Sequence, residues 1–143
     1  MDYIVLDGNN ATWDGSAYAE WQIPSYYFKN LKKDQQIKLT LERSIFTDTD
    51  LISDPIIKCC EVVTDLVLKN QSNTNSRNTL DIYDLDCDTA NNIISPINHS
   101  GMKPTYLVDK FNSIKIGVLH EDEFLNLNSV LANTRFILKL EYF

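Results

Sequence analysis

Alternating apolar and polar positions recur along the chain and predict β-strands. In QIKLTLERSIF, the apolar residues Ile37, Leu39 and Leu41 alternate with polar ones, and RFILKLEYF repeats the pattern near the other end. A period of two places successive side chains on opposite faces of a strand, so that one face is apolar and the other polar. We therefore predict that both stretches are half-buried antiparallel strands.

Further strands are predicted where β-branched and aromatic residues cluster between Asn, Asp, Gly and Pro. The predicted strands are Tyr3 to Leu6, Ala17 to Ile23, Ile37 to Phe46, Thr79 to Leu85, Thr105 to Val108, Ser113 to Leu119 and Arg135 to Tyr142. Many short strands without alternating helices indicate an all-β, antiparallel β-sandwich, and we expect a single jelly roll that spans residues 1–143 as one domain. The predicted core contains Leu39, Leu41, Ile116, Val118, Phe136, Leu138 and Leu140.

Residues 53–69 fit two kinds of element. The segment SDPIIKCCEVVTDLVLK is rich in β-branched residues, which favour a strand. Its polar residues Lys58, Glu61, Asp65 and Lys69 recur at helical spacing, and Pro55 suits a helix start. The pattern leaves strand and helix open, and the polar stretch 69–78 that follows is predicted to be a surface loop.

Four aspartates lie close together in TLDIYDLDCDTANN, namely Asp81, Asp84, Asp86 and Asp88. Their spacing suggests the start of an EF-hand calcium loop, but Thr89 and Ser95 stand where that motif needs glycine and a bidentate glutamate. We therefore predict no metal site.

Two interpretations of the aspartates remain open. In the first, Leu80 and Ile82 share one strand face with Asp81 opposite, and residues 86–92 form a solvated turn. In the second, the acidic residues face the basic stretch 29–43 of a neighbouring subunit and steer assembly.

Composition narrows the class of protein. The chain has 143 residues, 43% of them apolar and 23% charged, as in a folded domain, and no apolar run approaches the ~20 residues of a membrane span. A net charge of −7 argues against direct nucleic-acid binding. Because MDYIVLDGNN lacks the basic and apolar regions of a secretory signal, we expect a protein made and used inside a cell.

The residue types that carry chemistry do not form a recognisable motif. Cys59, Cys60 and Cys87 suit neither a disulfide framework nor a metal clamp, and His99 and His120 lack metal-ligand spacing. The stretch HEDEF lacks the second histidine of a zinc protease motif. We therefore predict no catalytic residue and no cofactor, with a small hydrolase as the enzyme alternative.

Large aromatic residues are concentrated between positions 13 and 28, immediately before a basic stretch. They include Trp21, and one interpretation assigns the whole group to core packing and a turn after Pro24. The other interpretation is an interface, because exposed aromatics beside a basic rim are typical of association surfaces. The candidate interface residues are Trp13, Tyr26, Tyr27, Phe28, Lys32 and Lys33.

Two parts of the chain also resemble a known family. The stretches YIVLDGNNATWDGSAYAEWQIP and QIKLTLERSIF, with PTYLVDKFNSIKIGVLHEDEFLNLN and RFILKLEYF, resemble jelly-roll minor capsid proteins of large icosahedral double-stranded DNA viruses and virophages. The resemblance covers residues 1–46 and 104–143, and it departs from the family pattern at HEDEF, where the acidic turn usually carries a glycine.

The resemblance implies a structural role without catalysis. The expected protein is a minor capsid or cement-type component, made in the host cytoplasm and incorporated into the virion. Its implied partners are other capsid proteins and copies of itself. The alternative is an intracellular carbohydrate- or protein-binding β-sandwich module.

Overall fold

The structure is a computed structural model that describes residues 2–46, 58–69, 78–88, 93–97 and 103–142; for residues 58, 85–88 and 93–97 it describes the backbone alone. Its strands are β1 (Asp2–Asp7), β2 (Thr12–Trp13), β3 (Ala19–Gln22), β4 (Ile37–Ile45), β5 (Lys58–Thr64), β6 (Asn78–Asp88), β7 (Ile93–Ile97), β8 (Thr105–Val108), β9 (Ser113–His120), β10 (Glu123–Phe124) and β11 (Arg135–Tyr142). Short 3-10 helices occupy Gly8–Asn10, Ser25–Phe28 and Asn128–Asn133.

The strands form two antiparallel sheets. Sheet A has the order β1-β11-β4-β8, and sheet B has the order β2-β3-β9-β5-β6-β7, with β10 paired to β9. Inward-facing side chains of both sheets belong to one hydrophobic core. The expected all-β, antiparallel sandwich is confirmed.

Strand pairs are nested along the sequence. The pair β1–β11 encloses β3–β9, which encloses β4–β8, which encloses β5–β6. Successive pairs fall alternately in sheet A and sheet B. The described strands therefore follow the path of one long hairpin whose tip lies at β5–β6 and whose two arms cross repeatedly between the sheets.

The core contains all seven residues expected there. Leu39, Leu138 and Leu140 are 0% exposed, and Leu41, Ile116, Val118 and Phe136 are also buried. Trp21 of sheet B packs edge-on against Phe136 of sheet A, with ring centroids 5.9 Å apart. Its indole N–H donates to the Asp7 carbonyl at 2.7 Å. One side chain thus supplies apolar packing and a polar contact between the sheets.

The ambiguous segment 53–69 contains a strand. Lys58–Thr64 pairs with β6 on one side and with β9 on the other, whereas residues 53–57 lie outside the described residues. Pairing on both sides explains why β-branched composition prevails over the polar spacing, because a central strand must be apolar on its buried face. Cys59 is exposed and Cys60 is buried, as opposite strand faces require.

A bulge in β6 corrects the expected orientation of its side chains. Val62 pairs with Asp81 but Val63 pairs with Thr79, which leaves Leu80 as the extra residue. After the bulge, Tyr83 is buried while Ile82 is 51% exposed, so Leu80 and Ile82 do not share a buried face. The sequence pattern gave no sign of this inserted residue.

The aspartate-rich stretch is also more strand-like than expected. β6 continues to Asp88, and Asp84 to Asp88 pair with Ile97 to Ile93 of β7. The expectation that residues 86–92 form a turn is therefore wrong for residues 86–88, because a partner strand satisfies their backbone groups. The loop predicted at 69–78 lies largely outside the described residues.

The outer face of sheet B carries a small second apolar cluster. Phe124 of β10 contacts Tyr18, with ring centroids 5.2 Å apart. A Cβ at Gly117 would approach Phe124 Cε1 at 2.8 Å and the Ala17 carbonyl oxygen at 2.9 Å, so the ring needs glycine beneath it. Val63, which pairs with Gly117, is 1% exposed even though it faces away from the main core.

The core makes a first prediction. Leu138→Ala should lower the free energy of unfolding by about 2–5 kcal/mol, because a fully buried leucine is replaced by a cavity. Val5→Ala, at a position 57% exposed, is the matched control and should change it by at most about 0.5 kcal/mol. Urea denaturation followed by circular dichroism measures both, and equal effects would contradict the assigned core.

The HEDEF hairpin makes a second prediction. Glu121 and Asp122 join β9 to β10 with φ values of 51° and 64°, as a type I′ turn requires, although neither is glycine. Replacing them together by Asn and Gly should stabilise the protein by about 1 kcal/mol, since these residues adopt positive φ more readily. Glu121→Gln together with Asp122→Ser is the control, because it removes the same two charges without introducing Asn or Gly. A double variant no more stable than this control in urea denaturation would refute the account.

A third prediction concerns the loop between β2 and β3. The Asp14 carboxylate accepts the N–H groups of Ser16, Ala17 and Tyr18 at 2.8, 2.9 and 3.1 Å. The hydrogen bonds from Ala17 and Ser16 hold the pKa of Asp14 below its usual value of 3.8.

Because the folded pKa of Asp14 is depressed, its contribution to stability is present above the unfolded pKa and is lost as pH falls through the folded pKa. Asp14→Asn, which resembles the protonated acid, should therefore destabilise the protein at pH 6 by about 0.5 kcal/mol, because solvent screens this exposed carboxylate. Its difference from the wild type should shrink towards zero near pH 2. Urea denaturation across this pH range provides the measurement, and a difference independent of pH would exclude a role for the charge.

Candidate interaction surface

The aromatic residues between positions 13 and 28 separate into core and surface members. Trp21 and Phe28 are both 3% exposed, and Phe28 packs edge-on against Phe111 with ring centroids 5.2 Å apart. Trp13, on β2, is half-buried and packs against the core. The structure thus places Phe28, a candidate interface residue, in the core, and Trp13 has only part of its side chain available to a partner.

Tyr26 is the aromatic of this group that stays exposed, at 61%. It stacks on Tyr27, with ring centroids 4.5 Å apart. Tyr27 is half-buried, and its carbonyl oxygen accepts a hydrogen bond from the Tyr142 hydroxyl at 2.7 Å. Burial and the nearby Asp2 carboxylate raise the pKa of Tyr142 to about 12. Tyr26 therefore stacks on a ring whose residue is itself held by a hydrogen bond, which limits the conformational entropy that Tyr26 would lose on binding.

A cleft of about 370 Å³ opens beside the chain that follows Tyr26. Its floor is apolar and includes Phe28, Leu31, Leu107 and Val108. Its rim carries the four lysines Lys32, Lys33, Lys69 and Lys110, together with Gln35, Gln36 and Asp109. We call this feature the lysine cleft, and it contains three of the candidate interface residues, namely Phe28, Lys32 and Lys33.

Local hydrogen bonds fix the near wall of the lysine cleft. The 3-10 helix Ser25–Phe28 begins after Pro24, whose fixed φ suits a helix entry. The N–H of Leu31 donates to the Phe28 carbonyl at 3.0 Å. Gln35 then closes a turn, because its N–H donates to the Lys32 carbonyl at 3.1 Å and its side-chain oxygen accepts from the Lys32 N–H at 3.0 Å. Lys32 and Lys33 are therefore presented by an ordered turn.

The far wall comes from two distant parts of the sequence. The Lys69 N–H donates to the Leu107 carbonyl at 2.9 Å, which joins the chain after β5 to strand β8. Lys69 also forms an ion pair with Asp109, in the loop before Phe111. No periodic pattern in the sequence links Lys69 and Lys110 with Lys32, so sequence reasoning missed half of the basic rim.

The lysine cleft is positively charged on a protein of net charge −7. Asp109 is the one acidic residue of its lining and is engaged by Lys69. Lys32, Lys33 and Lys110 are exposed, and within the described part of the chain no ion-pair partner is found for them. Their charges add along one rim and favour a negatively charged ligand.

The basic stretch predicted at 29–43 does not act as one surface. Lys32 and Lys33 line the lysine cleft, whereas Lys29 is exposed outside it. Lys38 and Arg43 lie on β4, where they pair with Glu141 and Ile137 of β11 on the outer face of sheet A. The cleft therefore uses only part of the sequence cluster.

The aspartates of β6 also lie in different environments. The Asp81 carboxylate is 12% exposed and lies 3.6 Å from the Lys103 ammonium. The expectation that the aspartates are solvated is therefore wrong for Asp81. Asp84 is exposed, and the side chains of Asp86 and Asp88 lie outside the described set. Among the described residues, no group of three His, Cys, Asp or Glu side chains could hold a metal ion.

Tyr83 reaches the same region from inside the sandwich. Its hydroxyl and that of Ser44, on the opposite sheet, are both buried, and neither forms a hydrogen bond of good geometry within the described structure. Burial is the main cause that raises the pKa of Tyr83. The Lys103 ammonium lies 5.0 Å from the centre of its ring, a cation–π contact. Lys103 therefore bridges an acid and an aromatic ring at the edge of the core.

Comparison with known proteins finds no matching family model, no matching curated protein and no matching solved structure. In the described part of the chain, no helix has the length and apolarity needed to cross a membrane.

The division between core and surface aromatics makes a fourth prediction. Phe28→Ala should lower the free energy of unfolding by about 3–5 kcal/mol, because the side chain is buried against Phe111. Tyr26→Ala should change it by no more than about 0.5 kcal/mol, since Tyr26 is largely exposed. Urea denaturation of the two variants tests this directly. A large loss for Tyr26→Ala would mean that Tyr26 serves the fold.

Proposed function

We propose that this chain is a structural protein of a viral capsid, a minor capsid or cement-type component of an icosahedral double-stranded DNA virus shell, folded as a single jelly roll. The observation that carries the proposal is the strand order. Sheet A has the order β1-β11-β4-β8, and the central part of sheet B has the order β3-β9-β5-β6. Two four-stranded sheets made from nested antiparallel pairs support a jelly-roll assignment, and capsid proteins commonly use that architecture.

The sequence resemblance falls on a coherent part of the fold. Residues 1–46 and 104–143 supply β1 to β4 and β8 to β11. These strands include all of sheet A and the nested pair β3–β9 of sheet B. The stretch between them forms β5, β6 and β7 of sheet B.

The exposed side chains support association as the mode of action. Tyr26 offers a rigid, exposed aromatic ring, and the lysine cleft, whose lining begins two residues later at Phe28, offers a basic rim. Aromatic anchors and charged rims are what interfaces select, and both are available here without a change in the core. In this proposal the protein is made in the host cytoplasm and functions in the virion, in contact with other capsid proteins and copies of itself.

A protein-binding β-sandwich module outside a capsid is the second candidate, and the lysine cleft is the observation that favours it. A carbohydrate-binding version has less support. Trp21 is buried with its N–H donated to the Asp7 carbonyl, so it has no open ring face on which a sugar would stack, and Trp13 is half-buried against the core.

Self-association is the fifth prediction and tests the proposed function. At ~100 μM, a weak but specific interface should give reversible oligomers in sedimentation velocity. Tyr26→Ser should weaken the association at least about fivefold because it removes an exposed anchor. Ile82→Ser is the matched control, because Ile82 is 51% exposed on β6 and away from the cleft lining.

Two results would contradict this prediction. A protein that stays monomeric up to ~500 μM and binds a glycan on an array would favour the carbohydrate-binding module instead. If Tyr26→Ser and Ile82→Ser weaken the association equally, the protein does not self-associate through the surface that carries Tyr26.

A further inference from the structure

We propose that the lysine cleft is a docking site for an acidic peptide segment of a partner protein, in which an aromatic or aliphatic side chain is flanked by carboxylates. The inference deepens the proposed function by naming the chemistry of the partner, which in a shell would be a neighbouring capsid protein.

The apolar floor and the basic rim of the cleft together favour a ligand that carries both an apolar side chain and negative charge. The floor presents the half-buried side chains of Leu31 and Leu107 above the buried Phe28, and these two leucines gain from contact with an apolar side chain. The rim presents Lys32, Lys33 and Lys110, which favour carboxylates. A ligand that satisfies only one of these features leaves the other in contact with water.

The size of the cleft favours a peptide segment over a folded surface. A volume of about 370 Å³ lies at the small end of ligand sites and suits a few side chains. The walls are also well defined, because Gln35 closes the turn that carries Lys32 and the Lys69 N–H holds the opposite wall to Leu107. Such preorganisation reduces the entropy lost when a flexible segment binds.

The distribution of charge on the protein favours an acidic peptide over a nucleic acid as the ligand of the cleft. A nucleic acid would place phosphates along the surface beyond the cleft, where a protein of net charge −7 repels them. A short acidic segment confines its charges to the rim. Charge complementarity therefore favours the peptide.

The test is a titration of the nitrogen-15-labelled protein, followed by amide chemical shifts at a protein concentration below self-association. The probe is the peptide Asp-Glu-Asp-Phe-Asp-Glu. One control peptide replaces its acids by Asn and Gln, and the other replaces Phe by Ser. The expected shifts are confined to the amides of the cleft, including Leu31, Lys69, Asp109 and Lys110, and the acidic aromatic peptide should bind at least about tenfold more tightly than either control.

Matched variants assign the binding to the cleft. The double variant Lys32→Gln and Lys33→Gln should weaken binding at least about tenfold. The double variant Lys29→Gln and Arg43→Gln removes the same charge from exposed residues outside the cleft and should weaken it less than about twofold. All four side chains are exposed, so both variants should retain the circular dichroism spectrum of the wild type.

Several results would overturn the inference. They are equal losses in the two double variants, equal binding of the Phe and Ser peptides, and saturation of the cleft amides by inorganic phosphate or an oligonucleotide as readily as by the peptide. Because the titration uses the monomer, its failure would leave the self-association experiment, and with it the proposed function, unaffected.

Discussion

The burial of the two inner sheet faces against each other is the constraint on which the rest of this structure depends. Trp21 shows how closely the faces are joined, because its ring packs on Phe136 while its N–H reaches the Asp7 carbonyl at the end of β1. A tryptophan placed in this way ties the hydrophobic contact to a fixed hydrogen bond. The lysine cleft is built partly on this frame, because β8 of sheet A supplies Leu107 and Val108 to its lining.

Much of the fold could be predicted because period-two patterning reports directly on a half-buried strand. β8 and β11 have the predicted bounds, and the expected core leucines of β4 and β11 are buried. The failures occur where the local pattern is interrupted. The bulge at Leu80 reverses the faces of β6, and a register shift between β4 and β11 turns Ser44 inward, so that a polar residue enters the core. A bulge depends on the partner strand, which is not visible in a single segment.

The candidate surface was predicted only in part, for a related reason. The basic character of residues 32 and 33 follows from the sequence, and Tyr26 is one of the candidate interface residues, although its pattern left core packing open. The lysine cleft also needs Lys69, Leu107 and Lys110. These residues meet because β8 lies at the edge of sheet A and the chain after β5 bonds to it. Sequence proximity suggested a longer basic patch that included Lys38 and Arg43, which the β4 strand instead directs to another face.

The nested pairing also has a consequence for the order of events during synthesis. β11 lies between β1 and β4, so sheet A lacks one of its two inner strands until residues 135–142 have been synthesised. Pairing between the two ends carries a large entropy of loop closure, which slows the folding of such topologies. Until β11 is in place, Ile4, Leu6 and Leu39 lack the strand that pairs beside them. A nascent or truncated chain then exposes apolar strands to its neighbours. Sheet A therefore closes only when residues 135–142 join β1 to β4.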